Sequence, residues 1–338
     1  MRLVVTGGLG FIGSNFVRMV LDLHPDWRVT NLDLVTYAGN PANLADVAER
    51  PGYRFVKGDI AEAGDVARVL EGGADAIVNF AAESHVDRSI LAAGPFIRAN
   101  VLGTVQLLEA ARAASGCRVV HVSTDEVYGA LGPGDAPFTE RTPVNPTSPY
   151  AASKAAADHL ALAFARTHGQ DVVVTRCSNN YGPFQFPEKL IPLMITNALE
   201  GKRLPVYGDG RQVRDWIHVE DHCAGVLAAL ERGRAGEVYN FGARAERANL
   251  DIVSRIVVLT GVSPALVEHV ADRPAHDRRY AMDPSRAERE LGWRPSRSFE
   301  EGLAATVRWY TDHEEWWRAV KDGSYRDYYR AWYEERTA

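Results

Sequence analysis

A short β-branched run, Leu3–Thr6, leads into Gly7-Gly8-Leu9-Gly10-Phe11-Ile12-Gly13 and then into a helix-period segment, Gly13–Leu23. Gly7, Gly10 and Gly13 form a G-x-x-G-x-x-G pattern. The turn needs backbone freedom, and a side chain there would block a pyrophosphate. The helix start that follows would offer unpaired N–H donors and the positive end of its dipole to that anion. Glycines at this spacing also fit a tight packing turn. Asp33, 20 residues beyond Gly13 at the end of the next apolar run, favours a dinucleotide. Its carboxylate would accept hydrogen bonds from ribose hydroxyls and repel a 2′-phosphate, so NAD is expected over NADP.

Further along, apolar runs alternate with helix-period segments. The expected strands are Leu3–Thr6, Val29–Leu32, Arg54–Val56, Ala76–Phe80, Val119–Val122 and Val172–Thr175, with a seventh, Val238–Phe241, much later. Between them the periodicity predicts helices over Gly13–Leu23, Asp65–Leu70, Pro95–Ala114 and Tyr150–Thr167. Continuously apolar strands alternating with helices indicate a doubly wound, Rossmann-type parallel sheet covered on both faces. After Asn180 the chain is broken by Tyr181-Gly182-Pro183 and Gly208-Asp209-Gly210, with helices expected over Lys189–Glu200, Val219–Arg232, Leu250–Thr260 and Glu300–His313. The expected division is a sheet domain over 1–180 plus about 215–242. A smaller α+β lobe takes about 181–214 plus 243–338. The aromatics from Trp309 to Tyr333 are expected to pack a terminal helix rather than to stack on sugars.

With 338 residues, the chain is long enough to bury a core without disulfide or metal staples. Acidic residues (44) exceed basic ones (38), which argues against nucleic acid or a polybasic membrane surface as partner. No apolar run approaches the ~18 residues of a spanning helix. Cys117, Cys177 and Cys223 are far apart and odd in number, which reads as reduced thiols in a cytoplasmic protein.

Two segments carry the candidate chemistry. Tyr150-Ala151-Ala152-Ser153-Lys154 puts a phenol and an ammonium at i and i+4, on one helix face. A Tyr with a pKa of about 10 is a poor base at neutral pH. A nearby Lys charge and an oxidised nicotinamide would both favour its phenolate. The run Val119–Ser123 ends in Thr124-Asp125-Glu126. Thr124 can hold a substrate hydroxyl for Tyr150. Two neighbouring carboxyls in a partly dry cleft repel each other's charge, so one pKa should rise, leaving one acid and one base.

The glycine turn with Tyr150-x-x-x-Lys154 resembles the extended short-chain dehydrogenase/reductases. More specific segments resemble the dTDP-glucose 4,6-dehydratases among them. These are 34–40 (LVTYAGN), 81–90 (AAESHVDRSI), 124–129 (TDEVYG), 148–154 (SPYAASK), 179–183 (NNYGP), 188–193 (EKLIPL) and 272–280 (DRPAHDRRY). The resemblance implies a redox-neutral dehydration of dTDP-glucose with NAD as cofactor, and a homodimer. Tyr150 would take the C4 hydroxyl proton, Glu126 the C5 proton, and Asp125 would protonate the departing C6 hydroxyl. Elimination needs both a base and a leaving-group acid, which simple oxidation does not.

The cofactor side of this site would comprise Gly7, Gly10, Phe11, Ile12, Gly13, Asp33 and Thr36. Asp59 and Ile60 would flank the adenine, with Phe80, Ala81, Ala82, Ser84, Tyr150, Lys154 and Asn180 completing it. For the substrate, Ser84, Thr124, Asp125, Glu126, Asn179, Lys189 and Leu190 would surround the sugar and diphosphate. Pro205 and Tyr207 would flank the base; Arg214, Asn249, Arg273 and His276 would hold the nucleotide. Two departures stand out: Ala99 precedes Asn100 where relatives often have Thr, and Ala275 stands where they often have Gly.

Rival readings are weaker. His218-Val219-Glu220-Asp221-His222 lacks the H-E-x-x-H order, so a structural helix start is expected and no metal. A nucleotide-sugar 4-epimerase would share the cradle, Tyr150 and Lys154 but have no use for Asp125 and Glu126. A non-catalytic NAD sensor need not keep all five reactive residues together.

Overall fold

The computed structural model describes residues 1–114, 116–272 and 277–321. Arg273, Ala275 and His276 lie outside the described residues, as do the aromatics beyond Lys321.

The strands are β1 (Arg2–Thr6), β2 (Arg28–Asp33), β3 (Tyr53–Lys57), β4 (Ala76–Asn79), β5 (Arg118–Thr124) and β6 (Val172–Cys177). Then come β7 (Asn179–Tyr181), β8 (Leu204–Tyr207), β9 (Val213–His218), β10 (Val238–Phe241), β11 (Glu246–Ala248) and β12 (Val267–Val270). Seven of them form one sheet in the order β10-β6-β5-β4-β1-β2-β3, every pair parallel. The strand order reverses between β1 and β4, where crossovers leave to opposite faces and open a crevice at the strands' carboxyl ends.

Alternation along β1 shows why its run is apolar throughout. Leu3 and Val5 join one core with α1 (Phe11–Leu23), while Val4 faces the other with α2 (Ala63–Leu70). The expected helix over Pro95–Ala114 is not uniform. After α3 (Val86–Leu91) and the short α4 (Gly94–Phe96) it widens into a π-turn, Ile97–Leu102, before α5 (Gly103–Ala113). The side chain of Asn100, inside that turn, is bonded to other segments rather than lying on a regular helix surface. Helix α6 (Pro149–His168) begins where Ser148 accepts from Ala151 N at 3.1 Å and Pro149 presets the first turn. It ends at Gly169, in the left-handed region.

A second core lies under α7 (Leu190–Leu199), reached before α8 (Val219–Arg232), α9 (Asn249–Thr260), α10 (Ser285–Leu291), α11 (Phe299–Asp312) and α12 (Glu314–Val320). Residues of α7, α9, α11 and α12 bury this core together. Two small sheets beside it, β11-β9-β7 and β12-β8, have strands of three to six residues, too short for a periodicity signal. His218 caps α8, its Nδ1 accepting from Glu220 N at 3.3 Å. Asp221 accepts from the Ser296 N–H and hydroxyl and from Arg297 N. His218 therefore has the structural part expected of a helix start, while Asp221 pins the 296–297 loop. Among the described residues, no helix is long and apolar enough to cross a membrane.

The aromatics of the C-terminal helices pack inward. Trp317 and Tyr310 are wholly buried, and Trp317 Nε1 donates to Tyr310 O at 2.8 Å. Trp317→Ala should therefore cost about 3–5 kcal/mol of stability in chemical denaturation, the range for emptying a large aromatic site. A cost below about 1 kcal/mol would contradict the packing role.

Candidate active site

The glycine turn is shaped by close approach. Gly7 has φ +69°, and a Cβ there would lie 2.6 Å from Ala81 N. A Cβ on Gly13 would overlap the Gly7 carbonyl. Gly10 differs: only the Gly7 carbonyl, at 3.3 Å, would approach its Cβ. It is the N-cap of α1 and has no capping side chain, so the first N–H groups of that helix are left for an anion. Asp33 holds the neighbouring loops, accepting from Leu9 N at 2.9 Å and Val35 N at 2.8 Å. Burial pushes its pKa up, against those two bonds. Phe11 and Ile12 are half-buried at the helix start, and Thr36 is exposed in the loop after β2. This cradle fits a dinucleotide: an open glycine, a bare helix end and a carboxylate at the next strand's end.

The loops after β3 and β4 flank it. Asp59 accepts from Ala61 N at 2.8 Å and from Arg98 at 2.9 Å, while Ile60 packs beneath Gly103. Phe80 packs on Phe16, Ala81 lies over Gly7, and Ala82 and Ser84 are exposed. Asn100 ties this loop to α6: it accepts from Glu83 N at 2.9 Å and donates to Glu83 O and to Ser153 Oγ. Ser153 in turn donates to Tyr150 O at 2.7 Å. Sequence reasoning missed this clamp; an Asn buried in a helix was its only signal.

Strand register places the reacting groups. Asn79, the last residue of β4, pairs with His121, so β5 runs three residues further to Thr124. Thr124 then caps the 3-10 turn Asp125–Tyr128, accepting from Glu126 N at 3.3 Å. Its hydroxyl lies 3.2 Å from Asp125 Oδ1 and acts to lower the pKa of Tyr150. Asp125 is 2% exposed, and its Oδ2 has no hydrogen-bond partner. Burial first, and the Glu126 charge second, push its pKa well above the usual carboxylate range.

Tyr150 is buried, and desolvation followed by the Glu126 charge raises its pKa, against the opposing influence of Thr124. Lys154, expected to draw the phenol down, donates instead to Val122 O at 2.8 Å. Burial lowers its pKa to about 8. The protein's own groups therefore keep the phenol protonated at neutral pH, and a further positive charge has to come from a ligand.

A cleft opens beside these residues. Glu126, Asn179, Lys189, Leu190, Pro205, Tyr207, Arg214 and Asn249, all anticipated for substrate, line it together, with Asn180 beside them. The Arg214 guanidinium donates to Val213 O and Asp277 O, stacks 4.2 Å from the Tyr280 ring, and lowers the Asp125 pKa. Lys189 Nζ donates to Ser84 O across the cleft at 3.0 Å. Asn180 donates to Ser178 O and its Oδ1 lies 2.9 Å from His222 Nδ1, so its amide braces the loop. His85 and Glu188 also line the cleft and were not anticipated. Glu188 is buried and accepts from Arg88 Nη2 at 3.1 Å. Its place beside Lys189 in the E-K-L-I-P-L run was the available signal.

The chain matches the family model described as GDP-mannose 4,6 dehydratase over residues 4–306. A dTDP-glucose 4,6-dehydratase from Xanthomonas campestris pv. campestris is 51% identical, covering 96% of this chain and 97% of the relative. The crystal structure of DesIV, a dTDP-glucose 4,6-dehydratase from Streptomyces venezuelae with NAD and dTDP bound, is 54% identical with a TM-score of 0.92. It covers 95% of this chain and 100% of that one. A UDP-glucose 4-epimerase from Thermus thermophilus, solved with NAD, is 29% identical with a TM-score of 0.86, covering 93% and 100%.

The geometry at Gly7 yields a direct expectation. Gly7→Ala should weaken dinucleotide binding about tenfold or more, since a β-carbon is strained at this φ and collides with Ala81. Isothermal titration calorimetry checks this, and unchanged affinity would contradict the cradle.

Proposed function

The chain belongs to the GDP-mannose 4,6 dehydratase family and, within it, to the dTDP-glucose 4,6-dehydratases, and we propose from its site how it performs their reaction. It is a hydro-lyase that converts dTDP-glucose to dTDP-4-keto-6-deoxy-glucose with NAD as cofactor. When bound, NAD supplies the acceptor for the C4 hydrogen with its electron pair and returns that pair with hydrogen at C6.

The protein's groups handle the protons. Tyr150, its pKa eased by Thr124, takes the C4 hydroxyl proton as C4 becomes a ketone. Its raised pKa suits a phenol that loses its proton only when a cation is bound beside it. The ketone acidifies the C5 hydrogen, which Glu126 removes. Asp125 gives its proton to the C6 hydroxyl, which leaves as water, and C5 is then reprotonated. The observation that carries this reading is the buried Asp125, its pKa raised by burial and by the charge of the adjacent Glu126: two neighbouring carboxyls with proton affinities pushed apart. A 4-epimerase has no use for such a pair.

The residues that line the cleft suit a nucleoside diphosphate-sugar. Lys189 and Arg214 bring cations, and Pro205 and Tyr207 a flat apolar wall. The guanidinium of Arg214 pairs with a diphosphate in a forked geometry. The sheet lobe, 1–180 plus about 215–242, would then hold NAD, and 181–214 plus 243–338 the nucleotide-sugar. Three free, buried cysteines fit a reducing, cytoplasmic setting. A homodimer is supported by Leu91, Ile97 and Leu102, which are 72%, 52% and 40% exposed on the elements packed beside α6.

The acid–base pair and the apolar face can each be tested. Asp125→Asn and Glu126→Gln should each slow formation of 4-keto-6-deoxy product by about a hundredfold or more, the usual worth of a positioned proton donor or acceptor. Normal rates in both variants would contradict the assignment. Ile97→Asp should convert dimer to monomer in sedimentation velocity; an unchanged mass would place any dimer contact elsewhere.

A further inference from the structure

Helix α6 carries a third polar residue on the face of Tyr150 and Lys154. Asp158 lies one turn beyond Lys154, so the three stand at i, i+4 and i+8. Asp158 and Lys154 are 0% and 3% exposed. From β6, Arg176 Nε donates to Asp158 Oδ2 at 2.8 Å. From β5, His121 Nε2 lies 3.5 Å from Asp158 Oδ1. Tyr128 packs against Arg176, its ring centroid 4.7 Å from the guanidinium, and donates its hydroxyl to Asn240. Cys177, also on β6, is the remaining titratable group that acts on Lys154.

These groups sort by charge. Arg176 does not lose its proton in proteins, so the Asp158 carboxyl faces a permanent cation held on the sheet. His121 is kept neutral by burial and by the charges of Lys154 and Arg176. Burial draws Lys154 down to about 8, and the Asp158 charge is the largest influence opposing it. A buried ammonium without an anion nearby would give up its proton.

We propose that Asp158 is a positioning residue for the dehydration: anchored by Arg176 on the sheet, it sets a fixed negative charge one helical turn behind Lys154 and keeps that ammonium charged in a dry site. The inference rests on the reading of Tyr150 and Lys154 as base and supporting cation. The pair Arg176–Asp158 then does more than fill the core, because removing it acts on proton transfer about one helical turn away.

The pH profile of product formation under single-turnover conditions tests this. The wild-type alkaline limb should fall near pH 8, the Lys154 value. Asp158→Asn should move that limb down by about one pH unit or more, as expected for losing a nearby opposite charge. If the single variant fails to fold with Arg176 left alone, the double variant D158N/R176Q carries the same test, with an amide pair in place of the ion pair. Lys154→Arg, whose charge does not titrate in this range, should abolish the limb. A limb that persists unmoved in Lys154→Arg contradicts the base reading itself. A limb abolished there but unmoved in the Asp158 variants overturns this proposal alone and leaves Asp158 a core ion pair.

Discussion

Everything at this site depends on two backbones meeting with nothing between them. Gly7, at the end of β1, lies against Ala81, just beyond β4, across the gap where the sheet's strand order reverses. A β-carbon on Gly7 would push these two loops apart. The same contact leaves the N-terminus of α1 pointing along the crevice with Gly10 bare. Asp33 fixes the far side through Leu9 and Val35. The cofactor's place is thus set by backbone geometry, and only a few side chains are needed around it.

The reactive residues are set by a second constraint, burial. Thr124 and Asp125 stand beyond the neighbouring strand's end because β5 outruns β4 by three residues. There water is largely excluded, so charge is expensive. The Asp125 pKa is pushed well above the usual carboxylate range, Tyr150 keeps its proton, and Lys154 holds its own only narrowly. In the proposed mechanism such a site favours giving a proton at C6, and a ligand's positive charge helps it to take one at C4. The formal charge of −6 is no obstacle to two diphosphates. They call for placed donors such as the α1 helix start, Lys189 and Arg214.

Much of this was legible in the sequence. Continuous apolar runs alternating with helix periods led to seven parallel strands, and the glycine spacing with Asp33 marked the crevice. Residues as distant in sequence as Asn179, Pro205 and Asn249 line one cleft. What stayed hidden depends on contacts between distant segments. The π-turn at Ile97–Leu102 has no periodicity of its own, and its reason is the bonding of Asn100 to Glu83 and Ser153. The strands β7, β8, β11 and β12 are three or four residues long. Lys154 was expected to favour the phenolate, but burial weighs more heavily, and burial cannot be read from spacing.

In the proposed reaction one active site oxidises C4, expels the C6 hydroxyl and returns the same hydrogen to C6. Incubating the NAD-loaded protein with dTDP-glucose deuterated at C4, and reading the product by NMR, addresses it directly. The expected product is dTDP-4-keto-6-deoxy-glucose with one deuterium in its methyl group. Recovery of dTDP-galactose, or a methyl group without deuterium, would contradict it.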